Sequence, residues 1–122
     1  ISIFAKRLAK GQDITIFGNG KQTRDFVYAG DIARGIRLAL TTLNADTCYN
    51  LSTQTEISLN ELVTILSRIT GKEITPSYGP AREGDIYRSS LSNEKAVKKL
   101  HWIPEVSLED GLKRTYEYFQ KR

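Results

Sequence analysis

The chain has 122 residues, 39% hydrophobic and 26% charged, a balance that excludes a disordered or fibrous polypeptide and suits one folded domain. No apolar run approaches the roughly 20 residues of a membrane span. The single cysteine, Cys48, excludes an internal disulfide framework and a multi-thiolate zinc site, and suggests a reducing, cytoplasmic setting. The formal charge of +4 admits anionic partners. Its lysines and arginines are scattered opposite apolar positions on expected helices, which reads as solvated helix faces more than as a nucleic-acid stripe.

Residues 3–10 form an amphipathic pattern that predicts a helix ending at Gly11 as its C-cap. The sequence starts at Ile1, without methionine, inside that pattern; this reads as a piece of a longer polypeptide, the alternative being removal of a starting Met. The alternating, β-branched run Ile14–Phe17 predicts a strand. Gly18-Asn19-Gly20 then predicts a turn, because Gly and Asn tolerate positive φ. A second strand is expected over Asp25–Tyr28. Asp31 is placed to cap a helix whose buried stripe would be Ile32, Ile36, Leu40 and Leu43. Cys48–Leu51 reads as a third strand.

Ser58-Leu59-Asn60-Glu61 has the form of a capping box, with a helix burying Leu59, Leu62, Val63, Leu66 and Ile69 and stopping at Gly71. Ile74–Tyr78 reads as a further short strand. Ser92 is placed to cap a short helix, and Ser107 with Asp110 to open a last one burying Leu108, Leu112, Tyr116 and Phe119. Helices and strands interleave, so the expected fold class is α/β: a small mixed sheet with flanking helices.

The long irregular segment 78–89 offers Arg82, Arg88, Glu83, Asp85 and hydroxyls, and Arg24 follows the glycine turn. A guanidinium is a planar fork of donors that matches phosphate oxygens, so two forks from separate loops can clamp a diphosphate. A carboxylate such as Asp85 can accept from paired sugar hydroxyls. The bland alternative is local pairing: Arg24 with Asp25 or Asp31, and Arg82 with Glu83 or Asp85. His101, the only histidine, reads as a helix-end cap or packing residue. Gly18-Asn19-Gly20 lacks the later glycine and following helix of a dinucleotide fingerprint. The residues contain no complete catalytic set and no metal-ligand cluster.

The run Phe17-Gly18-Asn19-Gly20-Lys21-Gln22-Thr23-Arg24-Asp25-Phe26-Val27-Tyr28, followed by Asp31-Ile32-Ala33, resembles the extended short-chain dehydrogenase/reductases. More narrowly it is similar to the NAD-dependent nucleotide-sugar epimerases and dehydratases. Tyr49-Asn50-Leu51 before Ser58–Leu62, then Arg82-Glu83-Gly84-Asp85-Ile86, then Leu100-His101-Trp102-Ile103-Pro104 and Ser107–Leu112 agree in order. The resemblance covers the whole chain but only the C-terminal, substrate-binding part of that family. The Rossmann domain that binds NAD would lie outside residues 1–122. So would the catalytic Tyr-x-x-x-Lys pair: no tyrosine here has lysine four residues later.

The resemblance implies roles by position. Arg24 and Arg82 correspond to arginines that hold the diphosphate, Asp85 to the acid on the ribose hydroxyls, and Phe17 to a position whose backbone meets the base. Asn50 and Ser89 correspond to positions near the nucleotide and the sugar. Asp31 remains a helix cap in this reading. The implied function is the UDP-sugar-binding portion of an NAD-dependent sugar epimerase, inactive alone, within a homodimeric full-length protein with no nucleic-acid or membrane partner. The Arg82–Asp85 form with Ser89 leans toward UDP-sugar 4-epimerases. A dTDP-glucose 4,6-dehydratase, a UDP-glucuronate decarboxylase-like relative and a small basic nucleic-acid-binding module are the alternatives. Departures from the family pattern fall at Ala29-Gly30, Ser52-Thr53-Gln54 and His101.

Overall fold

The computed structural model describes residues 1–44 and 48–122. The elements in chain order are α1 (Ser2–Ala9), β1 (Thr15–Phe17), β2 (Thr23–Arg24), α2 (Ala29–Thr41), β3 (Ile57–Ser58), α3 (Leu59–Thr70), β4 (Ser77–Gly79), α4 (Glu94–Leu100) and α5 (Leu108–Gln120). The fold is α/β, and among the described residues the strands form two separate two-stranded sheets in place of the single small mixed sheet expected. β1 and β4 pair in parallel, with Ile16 opposite Tyr78. β2 and β3 pair antiparallel, with Arg24 opposite Ile57.

Local signals fix α3. The Ser58 hydroxyl accepts from the Glu61 N–H at 3.1 Å, and the Glu61 carboxylate accepts from the Ser58 N–H at 2.8 Å. These bonds satisfy two of the donors that a helix start leaves open. Gly71 ends the helix at φ +66°, a left-handed position that glycine adopts without a Cβ penalty. Leu62, Val63 and Leu66 are buried as the spacing requires. Leu62 and Leu66 meet Leu112 of α5, and Val63 meets Ile16 of β1 and the preceding Ile14, with Phe4 and Leu8 of α1 against both groups. Ser107 caps α5 through the Asp110 N–H at 3.1 Å.

A second core forms around Trp102, which is fully buried with Ala96 and Leu100. Its indole N–H donates to the Asp31 carbonyl at 2.8 Å. His101 ends α4 at φ +52°, the helix-end cap expected of it.

Five local expectations are corrected. Asp31 does not cap α2: the helix starts at Ala29, and Asp31 lies buried in its first turn. Its carboxylate accepts from the Glu105 and Val106 N–H groups at 3.1 and 3.0 Å and from Arg34 at 3.1 Å. Burial alone would raise its pKa, but the bonds from Val106, Arg34 and Glu105 outweigh that and hold the carboxyl below its usual value.

The stripe Ile36, Leu40 and Leu43 is exposed, with Leu40 at 81%. α2 instead packs through Asp31 and Gly35, because a glycine lets the helix backbone approach Leu51 and Trp102. The second strand is Thr23–Arg24, not Asp25–Tyr28. Asp25 turns its carboxylate to the Thr53 and Gln54 N–H groups at 2.9 Å each, and the ladder stops before it. Cys48–Leu51 pairs with no described strand; Tyr49 and Leu51 pack against the Trp102 core. α4 starts at Glu94, with Asn93 as N-cap, and the Ser92 hydroxyl accepts from the Glu94 N–H at 3.4 Å.

Candidate functional site

β1 delivers Phe17 to the mouth of the glycine turn. Gly18 at φ +102° and Gly20 at φ +75° bend the chain back toward β2. Gln22, 7% exposed, clamps the turn: its side-chain amide donates to the Phe17 carbonyl at 2.7 Å. A Cβ on Gly20 would collide with Asn60 at the start of α3. Asn60 also donates to the Asn19 carbonyl at 3.2 Å, so the turn is held from both sides.

Opposite this turn lies the irregular segment after β4. The two enclose a cleft of about 300 Å³ lined by Phe17, Gly18, Asn19, Gln22, Ala81, Arg82, Asp85, Ile86 and Tyr87. The Arg82 guanidinium stacks on the Phe17 ring, 4.2 Å from its centroid. Arg82 forms no ion pair with a described residue, so its charge stays available to an anion. Arg24 donates to Asp85 at 2.9 Å and to the Thr23 carbonyl at 2.7 Å. The local pairings open to the sequence, Arg24 with Asp25 or Asp31 and Arg82 with Glu83 or Asp85, do not occur.

Of the six candidate residues, Phe17, Arg82 and Asp85 line the cleft, and Arg24 reaches it through Asp85. Asn50 and Ser89 do not line it; Asn50 lies exposed between Tyr49 and Leu51 beside the Trp102 core. Sequence reasoning missed Gln22, a buried amide whose only signal was its place after the turn. It also missed the contacts that anchor the segment. Tyr87 accepts from the Thr23 N–H at 2.8 Å. Arg88 grips Glu56 with two bonds of 3.0 and 2.6 Å. The Thr23 hydroxyl adds a third bond to Glu56 at 2.7 Å. Arg88 and then Thr23 hold the Glu56 carboxyl down to a pKa of about 2.

Two larger clefts lack this chemistry. One of about 410 Å³ beside Phe26 and residues 104–108 has Glu105 as its single charged lining residue. One of about 450 Å³ holds Arg68 and Lys113 with two acids, and Arg68 is paired with Glu109 at 3.0 Å.

The profile of the family described as GDP-mannose 4,6 dehydratase matches residues 1–115. The chain belongs to this family. It is 34% identical over its whole length to the UDP-glucose 4-epimerase of Mycolicibacterium smegmatis and covers 39% of that protein. It superimposes with a TM-score of 0.91 on the Thermotoga maritima UDP-glucose 4-epimerase solved with UDP-glucose, at 42% identity, covering 98% of this chain and 38% of that one. With the Bacillus cereus UDP-glucuronic acid 4-epimerase solved with UDP-glucuronic acid and NAD, the TM-score is 0.89 at 32% identity, covering 96% and 38%. The chain thus spans about two fifths of the length of these family members. Its own residues do not fit a dinucleotide cradle: the glycine turn leads through Lys21 into β2, where phosphate-binding glycine turns open a helix.

Proposed function

We propose that residues 1–122 are a single substrate-binding domain that holds the nucleoside-diphosphate moiety of a UDP-sugar. The observation that carries this reading is the meeting of two guanidinium-bearing segments, β2 with Arg24 and the segment after β4 with Arg82, at one cleft that also contains Asp85. Arg82 supplies an uncompensated fork to one phosphate, and Arg24, on leaving Asp85, supplies the second. Asp85 then turns to the paired ribose hydroxyls. The base lies against the Phe17 backbone, whose carbonyl Gln22 holds in place.

In the full-length protein the bound nucleotide serves epimerisation of the attached sugar, with NAD bound by polypeptide outside these residues. NAD supplies reversible hydride transfer there. This chain contributes remote binding energy, which fixes the sugar relative to reacting groups it does not itself carry. A cytoplasmic setting is part of this reading, in keeping with the single, exposed cysteine among these 122 residues.

Titration of the isotope-labelled chain with UDP-glucose tests the proposal. The expected result is millimolar-range saturation with amide shifts confined to Phe17–Arg24 and Arg82–Arg88, and no epimerase turnover. Saturating shifts elsewhere, or turnover by the chain alone, overturn it.

A further inference from the structure

We infer that Glu56, Arg88 and Thr23 form a positioning latch that sets the Arg82- and Asp85-bearing segment over the cleft; this rests on the nucleoside-diphosphate reading of that cleft. Residues 80–88 are all exposed, so the segment has no apolar anchor of its own. Polar contacts alone fix its course. Two of them, Arg82 on Phe17 and Arg24 with Asp85, involve the groups that a ligand would engage. When a diphosphate draws Arg24 and Arg82 to itself, those contacts loosen. The contacts of Tyr87 and Arg88 remain, and neither Glu56 nor Arg88 lines the cleft.

The geometry links the latch to the site. Thr23 pins the segment directly through its N–H, which holds the Tyr87 carbonyl at 2.8 Å, and indirectly through its hydroxyl, which holds Glu56, the partner of Arg88, at 2.7 Å. Thr23 precedes Arg24 in β2, and Glu56 precedes Ile57, the partner of Arg24 in β3. One short ladder therefore presents Arg24 and grips the far end of the segment that carries Arg82. A two-bond guanidinium–carboxylate contact fixes direction as well as distance, so the latch sets the spacing of the two cations. A lysine in place of Arg88 cannot reproduce that fork.

Affinity for UDP tests the latch in the unaltered chain, Glu56→Arg, Arg88→Glu and the doubly exchanged variant, with amide exchange across 83–88 as a second readout. Each single variant is expected to bind UDP about tenfold more weakly and to exchange faster in that segment than elsewhere in the chain. The exchanged pair is expected to restore both to within about threefold. Unchanged UDP affinity in both single variants, or a folded double variant with no recovery, overturns the latch. Absence of UDP binding by the unaltered chain overturns the nucleotide reading itself, while the exchange measurement still decides whether the pair fixes the segment.

Discussion

Arg24 Nη2 lies 2.9 Å from Asp85 Oδ1, joining residues 61 positions apart at the edge of one cleft. In this structure the two side chains satisfy each other. Under the proposed function each has another partner, a phosphate for Arg24 and ribose hydroxyls for Asp85. Asp85→Asn separates these roles. The substitution frees Arg24, so inorganic pyrophosphate should bind two- to fivefold more tightly, the range expected of a half-exposed ion pair. UDP should bind more weakly, because it loses the ribose contact. Isothermal titration with both ligands checks the opposite signs, and changes in the same direction contradict the assignment.

The buried turn of α2 carries a second prediction. Asp31 is the acceptor for two backbone N–H groups of the 105–106 segment. Asp31→Asn should lower stability by about 1–3 kcal/mol: both N–H groups bond Oδ2 and Arg34 bonds Oδ1, so the new NH2 must face either the guanidinium or the two backbone donors. Urea unfolding at neutral pH reads the loss. An unchanged midpoint would mean that the 105–106 segment is not held by this carboxylate.

A paired substitution tests which face of α2 is packed. Gly35→Val should destabilise by about 1–3 kcal/mol, because the added carbons collide with Leu51 and meet the Trp102 indole. Leu40→Gln, at a position 81% exposed, should stay within about 0.5 kcal/mol. Reversed magnitudes would restore the stripe expected from periodicity.

Acid titration gives a fourth prediction. Glu56 in the folded chain ionises at about 2, below its ordinary value of 4.5. A depressed folded pKa stabilises above the unfolded value, and that contribution is lost as pH falls through the folded one. The stability difference between the unaltered chain and Glu56→Gln should therefore be flat above pH 4.5 and shrink toward pH 2. Melting temperatures across that range measure it. A difference that grows on acidification contradicts the Arg88–Glu56 pairing.

What the sequence disclosed and what it hid divide by range. The Ser58–Glu61 box, the Gly71 stop and the Ser107 cap are interactions within four residues, and each stands where the residue types require. The turn at Gly18–Gly20 was legible for the same reason. The stripe on α2 misled because periodicity records which face is apolar, not which face meets a partner. There Gly35 and Asp31 make the close contacts. Asp25 misled because a carboxylate can replace strand pairing by binding two N–H groups 28 and 29 residues away. In the candidate site, the convergence of Arg24 and Arg82 came from resemblance. The Arg88–Glu56 grip, across 32 residues, had no local signal at all.

The central claim is that Arg24 and Arg82 serve one diphosphate, and the ratio of UDP to uridine affinity measures it most directly, because the two ligands differ only in that group. The unaltered chain should prefer UDP by at least about tenfold, the scale of one charge-assisted contact. Arg24→Ala and Arg82→Ala should each cut the ratio severalfold while leaving uridine affinity nearly unchanged. A ratio that survives either substitution would contradict the shared diphosphate site.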